Sequence, residues 1–400
     1  MKKNALWITL VVVVIASMLM AFVPAAPAEK EDFIFGIVMV GPYNDHGWSE
    51  ASYIAGQYVE KNIPGTKMIY IDKANSADRP GTTGDQLAEE LVKQGAKMIV
   101  FNSDDFKDAS VDFNKNNPEI PVLHVSGDLA WKDGKNYAGM KNYSNVMSQM
   151  EYGEMIGGCA AALATQTGKI GYVGPLINDE TRRFANATYL GAKYCWENYA
   201  KKDPADLKMK VTWIGFWFNI PGVTSDPSVV SDDFLNSGHD VLISALDTME
   251  ALVQTKKAVD GGKKAWAVAY DYKDACNEAP DVCLGVRYFN WGPDYVKFVK
   301  AAMEGKYPTI WTWSPPDWKD INNEDTSSMG FLKGDGLSAD AAKNLDAFIG
   351  ELAGGMNLWT GPINWQDGSV FLKEGEKATD QQIWYAPQLI EGVEGLSVSE

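Results

Sequence analysis

A loop at residues 41–48 gathers the groups best placed to recognise or transform a small molecule. Tyr43, Asn44, Asp45, His46 and Trp48 follow the apolar run IFGIVMV (34–40) and the Gly41-Pro42 pair that ends it. Polar and aromatic side chains at the carboxyl end of a parallel strand stand where open α/β sheets bind ligands. Covalent chemistry finds less support. The chain lacks G-x-S-x-G, H-E-x-x-H, a Walker A loop and a G-x-G-x-x-G after the first strand. Gly41-Pro42 is no phosphate cradle, because proline has no N–H to donate. His46 is the one candidate general base, and a histidine there serves equally as a hydrogen-bonding group or a bystander. No pair among the 53 acidic residues stands in a setting recognisable for glycoside hydrolysis. The loop reads as a binding element.

The elements that must position this loop alternate between strand and helix. Strand 34–40 leads to helix 49–62, strand 67–71, helix 83–95, strand 97–102, a helical stretch near 105–116 and strand 121–126. The pattern restarts with helix 144–167, strand 169–173, helix 180–198, strand 209–216, helix 226–237, strand 240–245 and helix 248–260. Strands 265–270 and 283–288 and helix 292–305 complete it. Short apolar runs between amphipathic helices indicate parallel sheets covered on both faces. The expected fold is α/β: two doubly wound, Rossmann-like domains with a cleft between them, the architecture of type I periplasmic binding proteins. Residues 29–135 with part of 306–400 are expected to form the first domain, and 136–305 the second. The segment 127–143, rich in Asp, Gly, Asn and Lys, reads as a hinge. A helix near 338–354 and a hairpin at 363–372 belong to a tail expected to cross back to the first domain.

The N-terminus carries an address. Lys2 and Lys3 precede an apolar stretch from Leu6 to Ala26, which ends in the small-residue site Ala26-Pro27-Ala28. This reads as a signal peptide, 1–28, and the competing reading is an uncleaved membrane anchor. About 370 residues then remain, enough for two domains of similar size. The chain has 36 Lys+Arg against 53 Asp+Glu, and loss of Lys2 and Lys3 leaves 34 against 53, a net charge of −19. So acidic a chain, without stripes of Lys or Arg, is not expected to bind nucleic acid.

Four cysteines, Cys159, Cys195, Cys276 and Cys283, would sit in an oxidising compartment. Three pairings are open. The short loop CNEAPDVC makes Cys276–Cys283 the candidate disulfide, while Cys159 and Cys195 either pair or stay as buried thiols. With no C-x-x-C and only three histidines (His46, His124, His239), the sequence points to no zinc site, and it calls for no cofactor.

Several segments together resemble one family. GIVMVGPYNDHGW, TGKIGYV (167–173), GHDVLISALDT (238–248), AYDYKDA (269–275), RYFNWGPDYVKFVKAAMEGKY (287–307) and TGPINWQDGSV (360–370) look like the basic membrane protein family. These are substrate-binding lipoproteins of ABC importers, related to the purine nucleoside receptor. The likeness spans essentially the whole chain after residue 28. It implies an interdomain site that holds a purine nucleoside or nucleobase between aromatic rings, closes about a hinge and delivers its ligand to a membrane permease. Carried over position by position, it implies ligand contacts at Tyr43, Asp45 and Trp48, at Asn102 and Ser103, and at Glu180 and Arg183. It further implies Trp217 and Asn219, Asp247, Asp271, and Asn290 with Trp291. The chain departs from the family at Asp104-Asp105-Phe106, at Tyr272, at Asn219 in place of the usual Asp, at His46, and in lacking a lipidation cysteine.

Each of these residues has a plainer reading. Asp45 suits a helix cap or turn, Asp247 an N-cap, and Asp271 an ordinary turn. Trp48 and Trp217 suit a core. Glu180 and Arg183, three residues apart at a helix start, suit a surface ion pair. Among functions, a sugar receptor of the same architecture, a ligand sensor presenting its bound state to a membrane partner, and an extracellular enzyme are the rivals.

Overall fold

The computed structural model describes residues 32–398. Residues 1–28, read from the sequence as a signal peptide, lie outside them. Among the described residues no helix is long and apolar enough to cross a membrane.

The first sheet contains β1 (Phe33–Val38), β2 (Thr66–Ile71), β3 (Ile99–Phe101), β4 (Val122–Val125) and β5 (Tyr143–Ser148). The second contains β6 (Lys169–Gly174), β7 (Lys208–Trp213), β8 (Val241–Ser244), β9 (Trp266–Asp271) and β10 (Cys283–Phe289). Three later strands return to these sheets: β11 (Trp311–Ser314) to the first, and β12 (Met329–Lys333) and β15 (Val393–Glu394) to the second. Between them β13 (Ile363–Asn364) and β14 (Val370–Leu372) pair as a hairpin. The sheet orders are β11-β5-β4-β3-β1-β2 and β12-β10-β9-β8-β6-β7-β15, with only β12 antiparallel to its neighbour. Both sheets are doubly wound. Strand order reverses between β1 and β3 in one and between β6 and β8 in the other, and the loops beyond such reversals form ligand crevices.

The helices are α1 (Trp48–Asn62), α2 (Gly84–Lys93), α3 (Lys107–Asn116), α4 (Met150–Ala164) and α5 (Asp179–Asn198). They continue as α6 (Pro227–Asn236), α7 (Glu250–Asp260), α8 (Gly292–Met303), α9 (Ala339–Ala353) and α10 (Asp380–Trp384). Capping boxes start α2 at Thr83/Gln86 and α5 at Asn178/Thr181, satisfying first-turn N–H groups. Helices α4 and α5 pack backbone to backbone: a Cβ on Gly158 would lie 2.0 Å from the Thr188 carbonyl oxygen, and one on Gly191 2.0 Å from that of Met155. Disulfide Cys159–Cys195 joins the same two helices, and Cys276 pairs with Cys283.

The strand pairings correct the sequence reading at two places. Residues 144–167 are not one helix: 143–148 form β5, in the first sheet although beyond residue 135. Its polar side chains are buried but bonded, Ser144 Oγ to the Pro308 carbonyl (2.8 Å), Asn145 Nδ2 to that of Ser126 (2.9 Å) and Ser148 Oγ to that of Ser328 (2.8 Å). A buried strand built this way shows no apolar run. The tail sends only β11 to the first sheet; β12 and β15 pair in the second, and Leu345, Phe348 and Leu352 of α9 join its core.

The chain thus passes between the sheets three times, near 149, 290 and 315–328. These passes are tied together. Asn290 N–H donates to the Ser328 carbonyl (2.9 Å), Gln149 N–H to that of Ser314 (2.8 Å), and Ser328 Oγ to that of Ser314 (2.7 Å).

Candidate functional site

The loops beyond the two strand reversals meet around a small, nearly filled cavity of about 10 Å³. Trp48, Ser103, Asp104 and Ser126 line it from the first sheet, and Glu180, Trp217, Asp247 and Tyr270 from the second. A wider cavity of about 290 Å³ adjoins it, sharing Asp104 and Glu180.

The aromatic wall is built from both halves. The indole N–H of Trp48 donates to the Asn102 carbonyl, which fixes the ring. Edge-on, it meets Phe289 (centroids 5.0 Å apart) and Trp291 (5.5 Å), themselves stacked at 4.6 Å and 10°. Tyr270 is held from behind by the Arg287 guanidinium, 4.5 Å from its ring centroid. Arg287 in turn is fixed by Glu154 at 2.8 Å and by the carbonyls of Ala269 (3.0 Å) and Ser244 (2.6 Å). Trp217 is half-buried, and its carbonyl accepts the Asp247 N–H (3.0 Å), coupling two loops of the second sheet.

Carboxylates dominate the polar groups. Asp271 ends β9 with φ +66°, is fully buried, and neither carboxylate oxygen has a protein partner. A buried charge left so is costly unless something neutralises or bonds it. Burial, and then the charges of Asp247 and Asp45, push its carboxyl well above the usual range. Asp247 is raised likewise by burial and by Asp45 and Glu180. Glu180 is pushed up to about 7 by burial, against the pull of Arg183 3.7 Å away. Such a site favours a ligand that brings hydrogen-bond donors to adjacent carboxyl groups.

Of the residues singled out in the sequence, Trp48, Ser103, Glu180, Trp217 and Asp247 line this cavity. Asp271 follows Tyr270 directly. Arg183 lines the wider cavity, fully buried and bound to Glu151 at 2.6 Å. The surface ion pair read for Glu180 and Arg183 is in fact a buried one.

Other residues line neither cavity, and their side chains are engaged elsewhere. Asp45 caps α1, accepting N–H groups from Gly47 (2.9 Å), Ser49 (3.0 Å) and Glu50 (3.0 Å). Burial still pushes its carboxyl up to about 6. Asn102 accepts the Val40 N–H (3.0 Å) and braces the loop above β1. Tyr43 is exposed and packs on Tyr53 and Tyr70. Asn219 accepts from the Thr224 hydroxyl within its own loop (3.0 Å). Asn290 ties the interdomain passes through the Ser327 (2.7 Å) and Glu324 (2.9 Å) carbonyls. Trp291 and Asn290 line a separate cavity of about 80 Å³. His46 is exposed at φ +56°, its ring 5.7 Å from that of Tyr272.

Sequence reasoning missed Asp104, Ser126 and Tyr270. All three stand at or just beyond the carboxyl end of a strand, the signal that could have found them. Among the described residues no group of three or more His, Cys, Asp or Glu is arranged to hold a metal ion.

Comparison with known proteins adds a second line of evidence. Residues 34–313 match the family described as ABC transporter substrate-binding protein PnrA-like. A purine-binding protein of Brucella abortus is 28% identical over 360 residues, covering 90% of this chain and 92% of its own. The ABC transporter nucleoside-binding protein BmpA of Lactococcus lactis is 25% identical over 236 residues, 57% of this chain and 60% of its own. Among solved structures, an ABC transporter solute-binding protein of Aeropyrum pernix superposes with a TM-score of 0.61 at 13% identity, covering 83% of this chain and 93% of its own. One from Conexibacter woesei gives 0.56 at 14% identity, covering 81% and 97%. At such identities these two speak for the fold alone.

Proposed function

The chain belongs to the family of PnrA-like ABC transporter substrate-binding proteins, and from that premise we propose that it captures a purine nucleoside or nucleobase by closing two α/β domains over it. Members of this family are extracytoplasmic binding proteins rather than enzymes, and they deliver a small molecule to a membrane permease. The purine is our reading. The observation that carries it is the unpartnered, fully buried Asp271 carboxylate, next in the chain to Tyr270, which with Trp48, Trp217 and Asp247 walls the cavity.

A purine offers two flat faces and an edge of N–H donors and ring nitrogens. Aromatic side chains contribute area and orientation to the faces. Carboxylates accept from N–H groups when ionised and donate to a ring nitrogen when protonated, and the raised Asp247 and Asp271 carboxyls are suited to both roles. Asp104 and Glu180, shared with the wider cavity, would accept ribose hydroxyls in this reading. The names of the Brucella and Lactococcus relatives agree with this ligand class.

That same carboxylate richness favours one second reading, a sugar as the whole ligand. A thermal-shift panel of nucleosides, nucleobases, pentoses and hexoses separates the two, because a tight ligand raises apparent stability. Purines are expected to raise the melting temperature; a shift by sugars alone would discard the purine.

A further inference from the structure

Helix α10 passes from one core to the other within two residues. Ile383 is buried in the core of the second sheet, whereas Trp384 and Tyr385 are buried in that of the first. On the second-sheet side, Arg182 Nε donates to the Ala386 carbonyl (2.7 Å) and Asn186 Nδ2 to that of Gln388 (3.0 Å). The Ile390 N–H donates to Asn186 Oδ1 (2.9 Å). On the first-sheet side, the Tyr385 hydroxyl donates to the Asp128 carboxylate and accepts the Lys135 N–H (2.7 Å). Its ring lies parallel to Trp131 at 5.7 Å, and Trp131 stacks on Trp311 at 4.0 Å. Trp384 meets Trp311 edge-on at 5.0 Å, with the Arg183 guanidinium 4.1 Å from its ring centroid.

These contacts stand at the cavity mouth. Trp384, Tyr385 and Asp128 line the wider cavity, which shares Asp104 and Glu180 with the smaller one. The three chain passes between the sheets can act as a hinge, and hinges permit rotation. A non-covalent bond between the two halves at the mouth opposes that rotation. This segment also lies beyond the residues that match the family, 34–313.

We propose that residues 380–386 are a strap that holds the two α/β halves together at the cavity mouth and thereby sets how fast ligand leaves. The second part rests on the receptor reading; the first does not. Isolated breakage of the Tyr385–Asp128 bond removes a hydroxyl without changing the ring. Breakage of the Trp131 stack attacks the same strap from its other partner.

Small-angle X-ray scattering of the ligand-free full chain tests the strap directly. Tyr385→Phe and Trp131→Leu, each checked for folding by circular dichroism, are expected to have a larger radius of gyration than the wild type. The wild-type radius in both variants would overturn the proposal. Stopped-flow dissociation of a purine nucleoside should then be about ten- to a hundredfold faster from Tyr385→Phe, the loss of one hydrogen bond to a charged group. An unchanged rate would remove the strap's control of release. If the wild type binds no purine, the ligand reading fails while the scattering comparison still decides the strap.

Discussion

Gly47 and Asp247 meet backbone to backbone across the cleft: a Cβ on Gly47 would lie 1.8 Å from the Asp247 carbonyl oxygen. One residue belongs to the start of α1 and the other to the loop after β8, so this contact fixes how closely the two halves approach around the cavity. Any side chain at position 47 would meet that carbonyl, so the contact itself calls for glycine.

Gly47→Ala is therefore expected to hold the halves apart. Ligand affinity should fall by about tenfold or more, the equivalent of ~1.4 kcal/mol. Titration calorimetry with the best ligand of the panel measures it. Wild-type affinity would show that this approach is not needed for binding.

The buried carboxyls make ligand-free stability depend on pH. Asp45 is pushed up to about 6 and Glu180 to about 7, and Asp247 and Asp271 are held well above the ordinary carboxylate range, all chiefly by burial. Between the ordinary carboxylate range of about 4 and these values, the folded protein holds protons that the unfolded chain has released. Their contribution is thus fully present below about pH 4 and lost as pH rises through 6 and 7. Asp367, held at about 2 by bonds from Gln388 and Ser369, acts in the opposite sense only below pH 4; His124 and His239, both lowered by burial, also oppose the trend but are outnumbered by the raised carboxyls. The urea midpoint should be higher at pH 5 than at pH 7.5. An equal or lower midpoint at pH 5 would contradict the shifts.

Asp271→Asn should separate stability from function. Removing an unpartnered buried charge is expected to raise the melting temperature at pH 7.5 by about 2 °C or more, while purine affinity falls. Loss of both stability and binding would mean that Asp271 has a structural partner.

The two tryptophans should behave differently. Trp48 is buried, bonded to Asn102 and packed on Phe289 and Trp291, so Trp48→Ala should cost about 3–5 kcal/mol of stability. Trp217 is half-buried in a loop, so Trp217→Ala should weaken binding with little change in the unfolding midpoint. Chemical denaturation beside calorimetry distinguishes them, and equal destabilisation by both would place Trp217 in the core.

Much of this was legible in the sequence because parallel strands announce themselves as apolar runs and their carboxyl ends mark the crevice. Trp48 was singled out that way, Asp247 and Asp271 through the family resemblance, and Tyr270 was missed by one position beside Asp271. Asp45, Asn102 and Asn290 carry the right chemistry for a ligand, but their oxygens and amides are already occupied by backbone groups. Spacing cannot reveal such occupancy, since a helix cap and a ligand contact ask for the same side chain. β5 and β15 escaped because one is polar yet buried and the other is two residues long. Contacts such as Tyr385 with Asp128, 257 residues apart, leave no local pattern at all.

The most direct test of the receptor reading is titration calorimetry of the full chain after its N-terminal 28 residues are removed. Purine nucleosides, purine nucleobases, pentoses and hexoses are titrated in turn, and the bound molecule is recovered and identified. The account predicts saturable, one-to-one binding of a purine recovered unchanged, lost in Asp271→Asn. Binding of a sugar with no heat from any purine would contradict it.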